Sequence, residues 1–345
     1  MFLVLALLLA QNTGQVPPAP TGPQPCATAG APAPLAAEPF ASRSWYTPLI
    51  AEPRGAQSEV VFWGRTRVFP YMTNPDHLNV WEIGFGKELP VAAWETHSSL
   101  PSLLDCGGWG LGIWVPGRFH MIADAGDASI PILNLDYKLS AAFKVTHAVT
   151  PRDLLTAKVQ IGHESTHIGD EFALRAIEEF GDAFQRINVS YEFIEVGVNW
   201  DHFFGSQRQH SLSLRGSGVQ TLAFNGDVGW YAPRLMDGTP IQPSRVNFEP
   251  AVGVEYLPRG THGWRPFVSF DGQLRTVYDY AKASADQRED RQFTSSVVVG
   301  VRNLRWASRG MPDVIAKYYW GVNPNGQFRS QSSYWAFGFG LLFRL

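Results

Sequence analysis

Cysteine is nearly absent from this chain: 345 residues contain two, Cys26 and Cys106. They lie far apart with no C-x-x-C spacing, which excludes a zinc knuckle and a redox pair and leaves a disulfide between them open. A basic excess is also lacking. With 28 Lys and Arg against 31 Asp and Glu, the formal charge is −3, so nucleic acid has no electrostatic footprint to bind and is excluded as a partner. Nor is there an apolar run long enough to cross a bilayer as a helix.

The longest such run, Phe2 to Ala10 in MFLVLALLLAQNTG, is too short to span but suits the apolar region of an export signal, although no Lys or Arg precedes it. Residues 1–10 read as a signal peptide. Residues 11–45 are rich in Pro and Ala and read as a flexible or polyproline-like linker. Residues 46–345 hold the folded part.

What the chain has in quantity is glycine and aromatics: 33 Gly, 22 Phe, 12 Trp and 11 Tyr. The dominant period is two. In LNLDYKLSAAFKV, Leu133, Leu135, Tyr137, Leu139, Phe143 and Val145 alternate with Asn134, Asp136, Lys138, Ser140 and Lys144. The terminal SSYWAFGFGLLFRL does the same with Trp335, Phe337, Phe339, Leu341 and Phe343 on one face. Such alternation fits a sandwich with one wet face or a membrane barrel with lipid outside and polar groups inside. Segment length and aromatics decide for the barrel. Many segments reach the roughly ten residues of a tilted membrane strand. Trp109, Trp200, Trp230, Trp264, Trp320 and Trp335 sit near segment ends, as an interfacial girdle requires.

Longer and shorter polar links alternate as well. The expected fold is therefore an all-β, antiparallel transmembrane β-barrel of about 12 strands, eight of them after residue 152, with a short helix from DEFALRAIEEF in one extracellular loop. At that size the lumen is narrow, and Asp227, Glu249, Asp271, Arg275 and Arg302 are expected to satisfy one another there.

The run KVQIGHESTHIGDEF contains the H-E-x-x-H of zinc peptidases. That chemistry needs a helix, where the two histidines share a face and close on one ion. Gly162 and Gly169 flank the motif and argue against a helix, while on a strand the histidines stand ~13 Å apart. Strand parity, carried on from Leu155, Ala157, Val159 and Ile161, sends His163, Ser165 and His167 to the lipid face and Glu164 to the lumen. Residues two apart share a face at ~7 Å, so an imidazole at His163 can serve a hydroxyl at Ser165. In RINVSYEFIEVGVNW the lipid-face parity includes Asn188, Ser190 and Glu192. If that strand pairs with His163 opposite Glu192, Ser165 faces Ser190 and His167 faces Asn188.

The segments YTPLIAEPR, GHESTHIGDEF, RINVSYEFIEVGVNW and YYWGVNPNGQF, spread from about residue 46 to the end, resemble the bacterial family of unknown function numbered 1207. That resemblance implies an outer-membrane barrel and supplies no activity. HES is also similar to the H-x-S of the outer-membrane phospholipase A and lipid A 3-O-deacylase families, whose His and Ser face lipid on a barrel strand beside an Asn or Glu on the next. This likeness implies Ser165 as nucleophile, His163 as base and Glu192 as orienting acid, with Asn188 as second choice and His167 in support.

Three classes stay open: a lipid or lipid A acyl-ester hydrolase, a narrow channel, and a structural barrel. The expected location is the bacterial outer membrane, with membrane lipids, lipopolysaccharide and the barrel-assembly machinery as partners. No cofactor is expected. Asp170 and Glu171 lack a binding-loop motif and give calcium no support.

Overall fold

The computed structural model of the chain describes residues 49–53, 55–66, 78–96, 100–180, 189–222, 247–259, 263–277, 290–307, 311–325 and 334–343. Among them are twelve strands: β1 (Ser58–Thr66), β2 (Leu78–Glu95), β3 (Trp109–Asp124), β4 (Ile132–Thr150), β5 (Asp153–Ile168), β6 (Val189–Phe204), β7 (His210–Leu222), β8 (Asn247–Pro258), β9 (Trp264–Val277), β10 (Asp290–Asn303), β11 (Asp313–Gly321) and β12 (Tyr334–Phe343). Each pairs antiparallel with its sequence neighbour, and β12 returns to β1 with Phe343 opposite Ser58 and Phe337 opposite Gly64. The barrel is closed and has no free edge. The strand number matches the periodicity, including eight strands from Asp153 onward.

Polarity is inverted relative to a water-soluble sheet. On β4, Phe143 is 46% exposed and Lys144 beside it 1%. On β5, Val159 and Ile161 face out while Lys158 and Gln160 are buried. A wall that turns its large apolar side chains outward and its charges inward is stable only in lipid, where closure also satisfies every ladder N–H and C=O. Trp109 and Trp264 are exposed near one rim, and Trp81, Trp320 and Trp335 near the other, as an aromatic girdle is. Trp230 lies outside the described residues.

This outward face gives a direct test. Val159→Arg, at mid-strand on β5, is expected to cost about 2–4 kcal/mol in lipid. Urea unfolding of protein folded into vesicles measures it, and an unchanged midpoint would place Val159 away from the acyl chains.

The interior is filled rather than open. Lys317 reaches Glu59 at 2.9 Å and Glu82 at 3.3 Å, binding β11 to β1 and β2. Lys158 meets Glu195 at 2.6 Å, and Arg302 forks onto Asp313 at 2.8–3.1 Å. Of the luminal residues expected to pair, Arg275 approaches Glu249 at 4.0 Å; Asp271 instead accepts from Gln273 at 2.7 Å. Asp227 lies outside the described residues.

The chain itself completes the filling. Residues 49–53 and 55–57, which carry LIAEP of the family-like segment, lie inside the barrel before β1 begins. Ile50 N–H donates to Glu255 Oε2 at 2.7 Å and Ala51 N–H to Ser269 Oγ at 3.0 Å. Glu52 pairs with Arg215, and the Arg118 guanidinium donates to the Pro53 carbonyl. Ile50 and Ala51 join a buried cluster with Val61, Trp63, Val80 and Tyr319. A cavity of about 10 Å³ lies between Glu52, Glu88, Arg118 and Glu195 and another of about 10 Å³ beside Pro53, His120, Asp136 and Glu164, each with room for roughly one water.

Helices occupy several connections, Ser206–Arg208 as a 3₁₀ turn and Leu304–Ala307 as a single α-turn among them. α1 (Leu100–Asp105), between β2 and β3, buries Leu103 and Leu104 against Ala148, Leu154 and Phe203. Cys106 follows it and is disulfide-bonded; Cys26, the chain's other cysteine, lies outside the described residues. α2 (Asp170–Phe180), between β5 and β6, is the helix expected from DEFALRAIEEF. No helix among the described residues is long and apolar enough to cross a membrane.

Candidate functional site on the outer wall

HESTH lies on β5 in extended conformation, so its two histidines do not close on one ion. Register is unbroken across it with β4, and with β6 as far as Thr166. The absence of a bulge depends on Gly162. It points inward, where a Cβ would stand 2.5 Å from Ser140 Cβ and 2.7 Å from the ring of Phe193. Only a residue without a side chain lets that buried ring lie against the wall while the strand keeps phase. Glu164 and Thr166 are therefore buried inside, and His163, Ser165 and His167 face out.

The strand ends at Ile168, and Gly169 is the single residue between it and α2. A Cβ there would meet the Ile132 carbonyl oxygen at 1.8 Å. The close approach brings the helix start onto β4, and Ala173 N–H donates back to the Gly169 carbonyl at 2.9 Å.

Across the hairpin, His163 stands opposite Glu192 and Ser165 opposite Ser190. The side chains then choose partners across strands rather than along β5. With its proton on Nδ1, His163 donates to Glu192 Oε1 at 3.2 Å. Ser190 Oγ donates to His163 Nε2 at 3.3 Å. Ser165 Oγ contacts His167 Nε2 at 2.7 Å, so the bond expected between Ser165 and His163 is replaced by one to His167. The Tyr137 ring on β4 meets the His167 ring edge-on, 6.0 Å between centroids.

The His163 side chain is 41% exposed and that of Glu192 15%. Glu192 Oε2 is buried without a hydrogen-bond partner among the described residues. A carboxylate so placed gains when a positive charge forms on the imidazole it holds. Chemically, the three side chains make a hydroxyl, a base and an orienting acid in sequence.

Ser190 was visible in the sequence by its parity with Glu192, but nothing there gave it the contact with His163. Asn188 lies outside the described residues. Asp170 and Glu171 open α2, and Glu171 Oε1 accepts from Ser129 Oγ at 3.0 Å. Among the described residues no group of three or more His, Cys, Asp or Glu is placed to hold a metal ion.

A closed twelve-stranded barrel with a lipid-facing outer wall defines an outer-membrane β-barrel protein. A family model described as "Protein of unknown function (DUF1207)" matches residues 15–207, more than half of the chain, and the chain belongs to that family. No curated protein matches it. Among solved structures it is similar to outer membrane phospholipase A from Escherichia coli, with 9% identity over 84% of this chain and 90% of that one, TM-score 0.48. It is also similar to the beta domain of the Bordetella autotransporter BrkA, with 8% identity, 84% and 100% coverage and TM-score 0.36. The translocator domain of the autotransporter NalP from Neisseria meningitidis is a third, with 9% identity, 86% and 91% coverage and TM-score 0.36.

Proposed function

We propose that the protein hydrolyses acyl esters of membrane lipids on its outer wall. The observation that carries this reading is the chain Ser190, His163, Glu192, bonded in that order on the face turned to lipid. His163 takes the Ser190 proton as Ser190 Oγ attacks the ester carbonyl, and Glu192 holds the imidazole by Nδ1. The site lies toward the end of the barrel that bears the long connections, the extracellular end in such barrels. Ester groups of outer-leaflet phospholipid or lipid A lie toward that same end. The substrates are therefore the protein's own surroundings, phospholipid and lipopolysaccharide, and a filled lumen favours this reading over a channel. The barrel-assembly machinery is the partner that would place it there.

The test is fatty-acid release by the full chain in vesicles containing phospholipid or lipid A. Release is expected from wild type and not from His163→Ala. A His163→Ala protein as active as wild type would end the hydrolase reading.

A further inference from the structure

Acyl transfer needs more than a nucleophile and a base. When Ser190 Oγ bonds to the carbonyl carbon, the C=O π pair moves to oxygen, and that oxyanion needs donors about 2.7–3.1 Å away. Enzymes commonly use backbone N–H groups, but those of a strand paired on both sides are taken by the ladder. Through the site, β5 pairs on one side with β4 and on the other, as far as Thr166, with β6. Within that stretch its amides are committed to the ladder. In lipid, an oxyanion without a donor is costly, and a side chain on β5 can supply one.

Ser165 has the required position. It stands directly opposite Ser190 in register, and such cross-strand pairs hold their Cβ atoms roughly 4.5–5.5 Å apart on one face. Its hydroxyl oxygen is already engaged by His167 Nε2 at 2.7 Å. When that nitrogen carries the proton, His167 donates to Ser165 Oγ, and the Ser165 hydroxyl proton is left to turn toward Ser190. The Tyr137 ring edge against His167 limits how the imidazole can rotate. Ser165 also lacks the bond to His163 that Ser190 makes.

Resting on the hydrolase reading above, we infer that Ser165, polarised by His167, is the oxyanion donor of this site, and that the attacking hydroxyl is Ser190. The steps balance. The Ser190 proton passes to His163 Nε2 as the C–O bond forms; the oxyanion collapses, the ester C–O bond breaks, and His163 returns the proton to the leaving alcohol. Water, giving a proton to His163, then attacks the acyl-Ser190 carbonyl; a second oxyanion forms against Ser165 and collapses, the bond to Ser190 Oγ breaks as His163 returns the proton to that oxygen, and the fatty acid leaves.

A p-nitrophenyl alkylphosphonate, which leaves a tetrahedral phosphonyl group on whichever serine attacks, separates the two hydroxyls when the labelled peptide is mapped by mass spectrometry. The adduct is expected on Ser190 in wild type and in Ser165→Ala. Ser165→Ala should lower kcat about 10²–10³-fold with little change in KM. Ser165→Thr, which keeps the hydroxyl, should recover most of the loss, and His167→Ala should fall between. An adduct on Ser165 would overturn the assignment while leaving the hydrolase standing, as would an unchanged kcat in Ser165→Ala or equal failure of the Ala and Thr variants. A wild type with neither adduct nor ester release removes the hydrolase itself and the donor with it.

Discussion

Ser190→Ala should reduce ester release by on the order of a millionfold, the scale reached when a triad member is removed. His163→Ala should fall to the same floor, and so should the double variant. Residues that act as one relay lose the whole relay with the first deletion, so a second deletion has nothing more to remove. Both side chains project from the outer wall, and neither takes part in the ladder that closes the barrel. Their loss therefore leaves the fold intact, and unfolding midpoints equal to wild type should accompany the lost activity. The measurement is kcat for the two single variants and the double in the same vesicles. Multiplying losses, with the double far below either single, would mean that Ser190 and His163 act independently, contrary to the bonded chain.

The second large effect concerns stability. Arg215→Met removes a buried guanidinium that joins the inserted segment to the wall through Glu52 and reaches Glu195 at 3.1 Å. Glu195 keeps Lys158 at 2.6 Å, whereas Glu52 loses the ion pair that holds it. Breaking a buried pair by deleting one partner costs about 3–5 kcal/mol, because the remaining charge is uncompensated. Adding Glu52→Gln removes that charge and should recover part of the loss, giving a coupling readable in a double-mutant cycle. Urea unfolding in lipid measures each variant. Independent, additive losses from the two substitutions would show that Glu52 and Arg215 do not hold the segment in place.

The wall was legible because a strand side chain has only two directions, and a slip by one residue would send every charge into lipid. The same parity put His163 and Glu192 on one face, while their standing opposite each other was a condition on the register, which the β5–β6 pairing meets. Which hydroxyl bonds His163 was not legible. Neighbours two apart on β5 stand ~7 Å apart at Cα, while cross-strand neighbours are closer; the imidazole turned to Ser190, and Ser165 turned to His167. Residues 49–53 and 55–57 were unreadable for a different reason. They have no period, and their partners Glu255 and Ser269 lie 205 and 218 residues from Ile50 and Ala51. α1 was missed because six residues carry too little helical pattern to stand out from a connection.

The pairing of β12 with β1 makes insertion an all-or-nothing event in time. Until β12 arrives, β1 and β11 each present a row of unbonded amides and carbonyls, and in hydrocarbon each such group costs several kcal/mol. Lys317 is then also far from the carboxylates of Glu59 and Glu82, which it meets by reaching past β12. An unfinished chain thus has neither its last hydrogen-bonded seam nor the ion cluster that reinforces it, and a stop a few residues short of Tyr334 leaves no partly stable barrel to rescue.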